Sequence, residues 1–111
     1  MTDYTPDPID KAIHEAQQLA VRHAELDGEA RRLEKLEKIL FSELVNQSNE
    51  SSVAKAEHWA RNHDRYRKHV EEMVDARTQA NIAKAQWDAK QMKFEAWRTQ
   101  QATRRAEMNI R

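Results

Sequence analysis

Cysteine is absent from this 111-residue chain, glycine occurs once and proline twice. Without cysteine there is no disulfide framework, no thiolate metal site and no thiol nucleophile. The scarcity of glycine and proline leaves long stretches without chain breakers, which favours long helices over a many-element fold. No apolar run approaches the ~18 residues that a membrane span requires. The opening "MTDYTPDPIDK" is acidic and polar, unlike a secretory signal, so a soluble cytoplasmic protein is expected. No Gly-rich phosphate loop and no G-x-S-x-G occur.

What is present is charge. Asp, Glu, Lys and Arg make up 34% of the chain, above the usual ~25%, and alanine, Glu, Arg, Lys and Gln dominate, as in coiled coils and helical hairpins. The net charge is zero, but residues 1–50 carry 6 basic and 11 acidic groups, while residues 51–111 carry 13 and 8. Such asymmetry marks either a surface for an anionic ligand or two halves that attract each other.

The periodicity predicts three helices in a single domain. "TPDPIDKAI" reads as a helix start, with Asp7 as N-cap, Pro8 at the first helical position and Asp10 near the positive dipole end. The first helix is expected over about 8–46. Leu19, Leu26, Leu33 and Leu40 recur every seven residues, with Leu44, Ala30 and His23 on the companion seam. Gly28 interrupts this run and is expected to weaken or bend it, at ~1 kcal/mol against alanine. "NQSNESS" supplies a polar loop at 47–52, and Ser51 or Ser52 can cap a short helix over 53–62. Asp64 is the expected N-cap of a last helix over 64–108.

That last helix carries the strongest pattern. Tyr66, Met73, Ala80, Trp87, Phe94, Gln101 and Met108 are spaced by seven, with His69, Ala76, Ala83, Lys90 and Trp97 beside them. A sustained heptad keeps one stripe against a partner helix. The predicted fold is therefore all-α, a long antiparallel helical hairpin with a short intervening helix. Leu19, Leu26, Leu33, Leu40, Leu44, Tyr66, Met73, Ala80, Trp87 and Phe94 are its packing residues. A two-helix hairpin buries little, so a homo-oligomer is expected.

Catalysis and metal binding find little support. Glu71 and Glu72 are adjacent, and adjacent helical positions point apart. The five histidines include no i, i+4 pair, and His69 and Glu72 reverse the Glu-x-x-His order of di-iron bundles. No catalytic residue, metal, cofactor or small-molecule substrate is predicted, and a thin hairpin offers few pockets. Nucleic acid is the better chemical candidate. In "WARNHDRYRKH", Arg61, Arg65, Arg67 and Lys68 can neutralise phosphates, while Trp59 and Tyr66 offer flat faces for unpaired bases. A second cluster, "MKFEAWRTQQATRRAEM", holds Lys93, Trp97, Arg98, Arg104 and Arg105. The plainer reading has the aromatics in the core and the arginines paired with the acidic first helix.

The stretch "AKAQWDAKQMKFEAWRTQQATRRAEM" resembles the ends of small helical proteins from bacteriophage early regions. Over residues 29–108 the layout also resembles UvsY-type recombination mediators: a charged helix ending in a Leu/Lys-rich stretch, a polar break, then a long helix with aromatics and a basic end. UvsY-type chains carry a glycine in the turn, where this chain has "NQSNESS". The resemblance implies an oligomer that binds single-stranded DNA and helps load a recombinase. Trp97, Arg98, Arg104 and Arg105 would be its DNA-facing or assembly residues. The alternative is a protein–protein scaffold, or an inhibitor of a host nuclease or defence complex whose acidic first half imitates DNA.

Overall fold

A computed structural model describes residues 7–110 of the chain. They form α1 (Pro8–Gln47), α2 (Val53–Arg61) and α3 (Asp64–Ile110), with no strand among the described residues. The fold is all-α: a long helical hairpin in which α1 and α3 run antiparallel and α2 occupies the connection. No helix among the described residues is long and apolar enough to cross a membrane.

Local chemistry sets the helix ends. Asp7 caps α1, its carboxylate accepting from the Ile9 N–H at 3.0 Å and its carbonyl from Lys11 N–H at 3.0 Å. Ser52 caps α2, its hydroxyl accepting from Lys55 N–H at 3.2 Å. At α3 the expectation of an Asp64 cap is corrected. Asp64 is the first helical residue, and His63 precedes it as the cap: Nδ1 accepts from Arg65 N–H and the carbonyl from Arg67 N–H, both at 3.1 Å. A ring nitrogen one bond beyond Cγ reaches the same orphan donor that a carboxylate would, and Asp64 then sits in the first turn, where its charge meets the helix dipole. α1 continues through Gly28 without a positive φ. Its flanking turns are good helix formers, and they carry the single weak position.

The contacts divide the described residues into two compact units, 7–23 with 82–110 and 24–81. In the second of these, Ala30, Leu44, Ala56, Ala60 and Ala80 are buried. Leu26, Leu33, Leu40, Tyr66 and Met73 are half-buried along the seam. Leu44 is the one large side chain that is fully buried, worth about 1.5–3 kcal/mol in transfer energy. The alanines contribute less area but let the helices approach closely. Polar links set the register. Arg77 donates to Asp27 at 2.7 Å and also to Glu34. Tyr66 donates to Glu37, and His69 Nε2 donates to the Leu33 carbonyl at 2.7 Å. As the α1 number rises the α3 number falls, the signature of antiparallel pairing.

The other unit pairs the start of α1 with the end of α3. Ala83 is buried, and Leu19, Trp87 and Phe94 are half-buried. The Trp87 ring stacks on His23 at 5.8 Å, and Lys90 Nζ donates to Glu15 at 2.6 Å. The heptad stripe then runs out of cover. Gln101 is half-buried, but Met108, the last stripe residue, is 74% exposed.

Candidate nucleic-acid interface

The sequence marks eleven residues for nucleic acid, Tyr66 among them, and the structure sorts them into two places with different electrostatics. The first lies at the α2–α3 junction. A concavity of about 810 Å³ is bordered by Trp59, His58, His63, Asn62, Lys55 and Glu50. Trp59 is partly open, but its ring leans on the capping imidazole of His63, 5.1 Å centroid to centroid. Glu50 and Asp64 also border this space, and their carboxylates oppose a phosphate. Arg61 turns away from it: its guanidinium lies over the Phe41 ring at 5.4 Å and 3.5 Å from Glu57. Arg67 is held by the Asn62 side-chain carbonyl at 2.9 Å. Arg65 and Lys68 are exposed and form no ion pair with a described residue. Tyr66 is not a free stacking face. It is half-buried beside Phe41, ring centroids 5.6 Å apart, and its hydroxyl is committed to Glu37.

The second place is the end of α3. Phe94 and Trp97 stack with centroids 6.1 Å apart and planes 25° apart. Together with Arg98, Gln101 and Arg105 they line a shallow groove of about 330 Å³. Helical spacing explains the set. Phe94, Arg98 and Arg105 fall on adjoining rows of one helix flank, and Trp97, Gln101 and Arg104 continue the stripe beside it. Trp97 is 39% exposed. It also borders a separate cleft with Pro8, Ile9 and Ala12. Arg98 makes one surface ion pair with Glu95 at 3.3 Å, of a kind worth little in water. Lys93, Arg104 and Arg105 are exposed and form no ion pair with a described residue.

The charge asymmetry of the halves therefore has a divided outcome. The cations that cross to the acidic helix are Arg77 and Lys90. Hydrogen bonds donated to Glu34 and Asp27 raise the Arg77 pKa, and the hydrogen bond and charge of Lys90 lower that of Glu15. Neither cation belongs to the basic-aromatic clusters. The clusters keep most of their charge facing outward, and the C-terminal one does so next to an open indole. Lys90 was legible as a companion of the packing stripe and Arg77 only as a member of the positive half, because a seam cation's partner is recognised by which acid stands opposite. Among the described residues no group of three or more His, Cys, Asp or Glu side chains is placed to hold a metal ion.

Comparison with known proteins finds no matching family model, no matching curated protein and no matching solved structure.

Proposed function

We propose that this chain is a non-enzymatic helical interaction protein that binds single-stranded nucleic acid through the basic end of α3. One observation carries the reading: an open tryptophan, braced from behind by Phe94, borders a groove that also presents Arg98 and Arg105. Stacking accepts any base and guanidinium accepts any phosphate, so the binding is indifferent to sequence and sensitive to salt. The layout resemblance to UvsY-type mediators supports a role in phage-type recombination or replication, in the cytoplasm, with a recombinase or replication protein as a second partner. Trp97, Arg98, Arg104, Arg105 and Lys93 are the contact residues of this reading. Arg65 and Lys68 extend it, while Trp59, Arg61 and Arg67 have structural partners that lower their share.

The test is anisotropy of a labelled single-stranded oligonucleotide at two salt concentrations. Affinity is expected to fall with salt, with a log–log slope of ~0.7 per phosphate contact. Arg98→Ala with Arg105→Ala should flatten that slope by roughly two contacts, and Trp97→Ala should cost about 1–3 kcal/mol. Absence of binding at low salt would refute the reading.

A protein partner is the second reading, favoured by Met92, Met108 and Ile110, which are 72%, 74% and 86% exposed on the same helix. Its DNA-imitating form is disfavoured, since Glu15, Asp27, Glu34 and Glu37 are occupied by groups of α3.

A further inference from the structure

The stripe of α3 that packs on α1 is not its only heptad. A second row begins at Ile82 and continues through Ala89, Ala96, Thr103 and Ile110, each seven residues apart. Ala85, Met92, Thr99 and Ala106 interleave with it at the alternating three- and four-residue steps of a coiled-coil seam. Residues 82–110 contain nine charged side chains, and none falls on this row. Every position of the row is exposed, including Ile82 at 46%. It is displaced by two residues from the seam of Ala83, Trp87 and Phe94, roughly 200° around the helix, so it faces away from α1.

An ordinary outward face does not look like this. In the same unit, the corresponding outward row of α1 holds Lys11, His14 and Gln18 beside Val21, a solvated surface. The threonines of the row make the back-bond usual for threonine in a helix, as Thr78 does before it. The Thr99 hydroxyl donates to the Glu95 carbonyl and the Thr103 hydroxyl to the Thr99 carbonyl, both at 3.0 Å. Their methyl groups remain to cover apolar surface, with no hydroxyl left unsatisfied.

We propose that this face is a dimer seam, and that its occupant is a second copy of this chain, lying parallel and in register. The charges beside the row select that arrangement. Asp88 precedes an a position and Lys93 follows a d position. In a parallel coiled coil these two, five residues apart, meet across the seam. Each copy thus offers Asp88 to Lys93 of the other, twice by symmetry. The remaining flanking positions bring together Glu95 with Gln100 and Ala102 with Glu107, with no like-charge contact. An antiparallel copy centred on the same stretch sets Glu95 against Glu95 and Lys93 against Lys93. The alanines bring the two helices close, and Ile82, Met92 and Ile110 supply the larger apolar contacts. The Arg98 and Arg105 row lies outside this seam, so dimerisation leaves the Trp97 groove open on both copies, while Lys93 becomes a seam partner rather than a nucleic-acid contact.

Sedimentation equilibrium of the full chain, with no oligonucleotide present, tests the seam independently of nucleic-acid binding. The expected mass is twice the 13.1 kDa of the single chain. Ile82→Glu with Met92→Glu should halve it, with helicity by circular dichroism unchanged. Because the chain has no cysteine, Met92→Cys supplies a single thiol that should oxidise to a covalent dimer, whereas Gln91→Cys on the neighbouring row should not. A wild-type chain that stays monomeric at every concentration would overturn the proposal. So would a dimer that both glutamates leave intact, or equal cross-linking at positions 91 and 92.

Discussion

The Tyr66 hydroxyl on α3 donates to Glu37 Oε1 on α1 at 2.5 Å, one helical turn from where His69 Nε2 donates to the Leu33 carbonyl. Two polar links thus sit on the hydrophobic seam. Apolar heptads alone tolerate sliding by one repeat, but a slipped register would leave the Glu37 carboxylate and the Leu33 carbonyl without these partners.

Removing the hydroxyl by Tyr66→Phe should cost roughly 1 kcal/mol in chemical denaturation. The hydrogen bond to Glu37, followed by burial and the carboxylate charge, holds the tyrosine pKa above its ordinary value of about 10. A raised folded-state pKa means that the contribution is complete below pH 10 and is lost as pH rises through the folded value. The wild type should therefore lose stability in strong alkali faster than Tyr66→Phe. Parallel alkaline profiles for the two would remove Tyr66 as the cause.

Acid should act at the other unit. The hydrogen bond from Lys90, then its charge, holds the Glu15 pKa below the usual carboxylate range. For a depressed pKa the stabilisation is present above the unfolded value and disappears as pH falls through the folded one. Thermal melts at pH 7 and pH 3 should differ less for Glu15→Gln than for the wild type. Added salt at pH 7 should bring the two variants closer together.

The histidine cap of α3 makes a substitution series informative. His63→Ala removes the acceptor for Arg65 N–H and should cost about 1 kcal/mol, while His63→Asp or His63→Asn should recover most of it. If alanine and aspartate melt alike, the cap contributes nothing.

Gly28 offers a gain. A Cβ built there meets nothing within 4 Å, and its φ is negative. Gly28→Ala should stabilise the chain by about 0.5–1 kcal/mol, read as a higher denaturant midpoint at constant slope. A loss instead would show that α1 uses the glycine for something other than helix.

The element types and the packing stripe were legible because they depend on local geometry. The turn of a helix is set by the backbone, so Leu19, Leu26, Leu33 and Leu40 on one side, and Tyr66, Met73, Ala80, Trp87 and Phe94 on the other, had to share a face in any helical chain. The polar break and the caps at Asp7 and Ser52 are likewise read within a few residues. The cap at α3 was not, because Asp64 is the better capper by type.

Composition and spacing, then, determined that this chain is helical, that it turns back once, and that its positive half follows its negative half. Tertiary structure decided which cations are consumed. A side chain's partner depends on what stands opposite it, and opposition is set by register between segments far apart in sequence. Arg77 and Lys90 meet carboxylates of α1, whereas Arg98 and Arg105 border an open indole, although all four are basic residues of one helix. The uncharged row from Ile82 to Ile110 was present in the letters as an absence of charge. It gained meaning only when α1 was found to occupy the opposite side of α3.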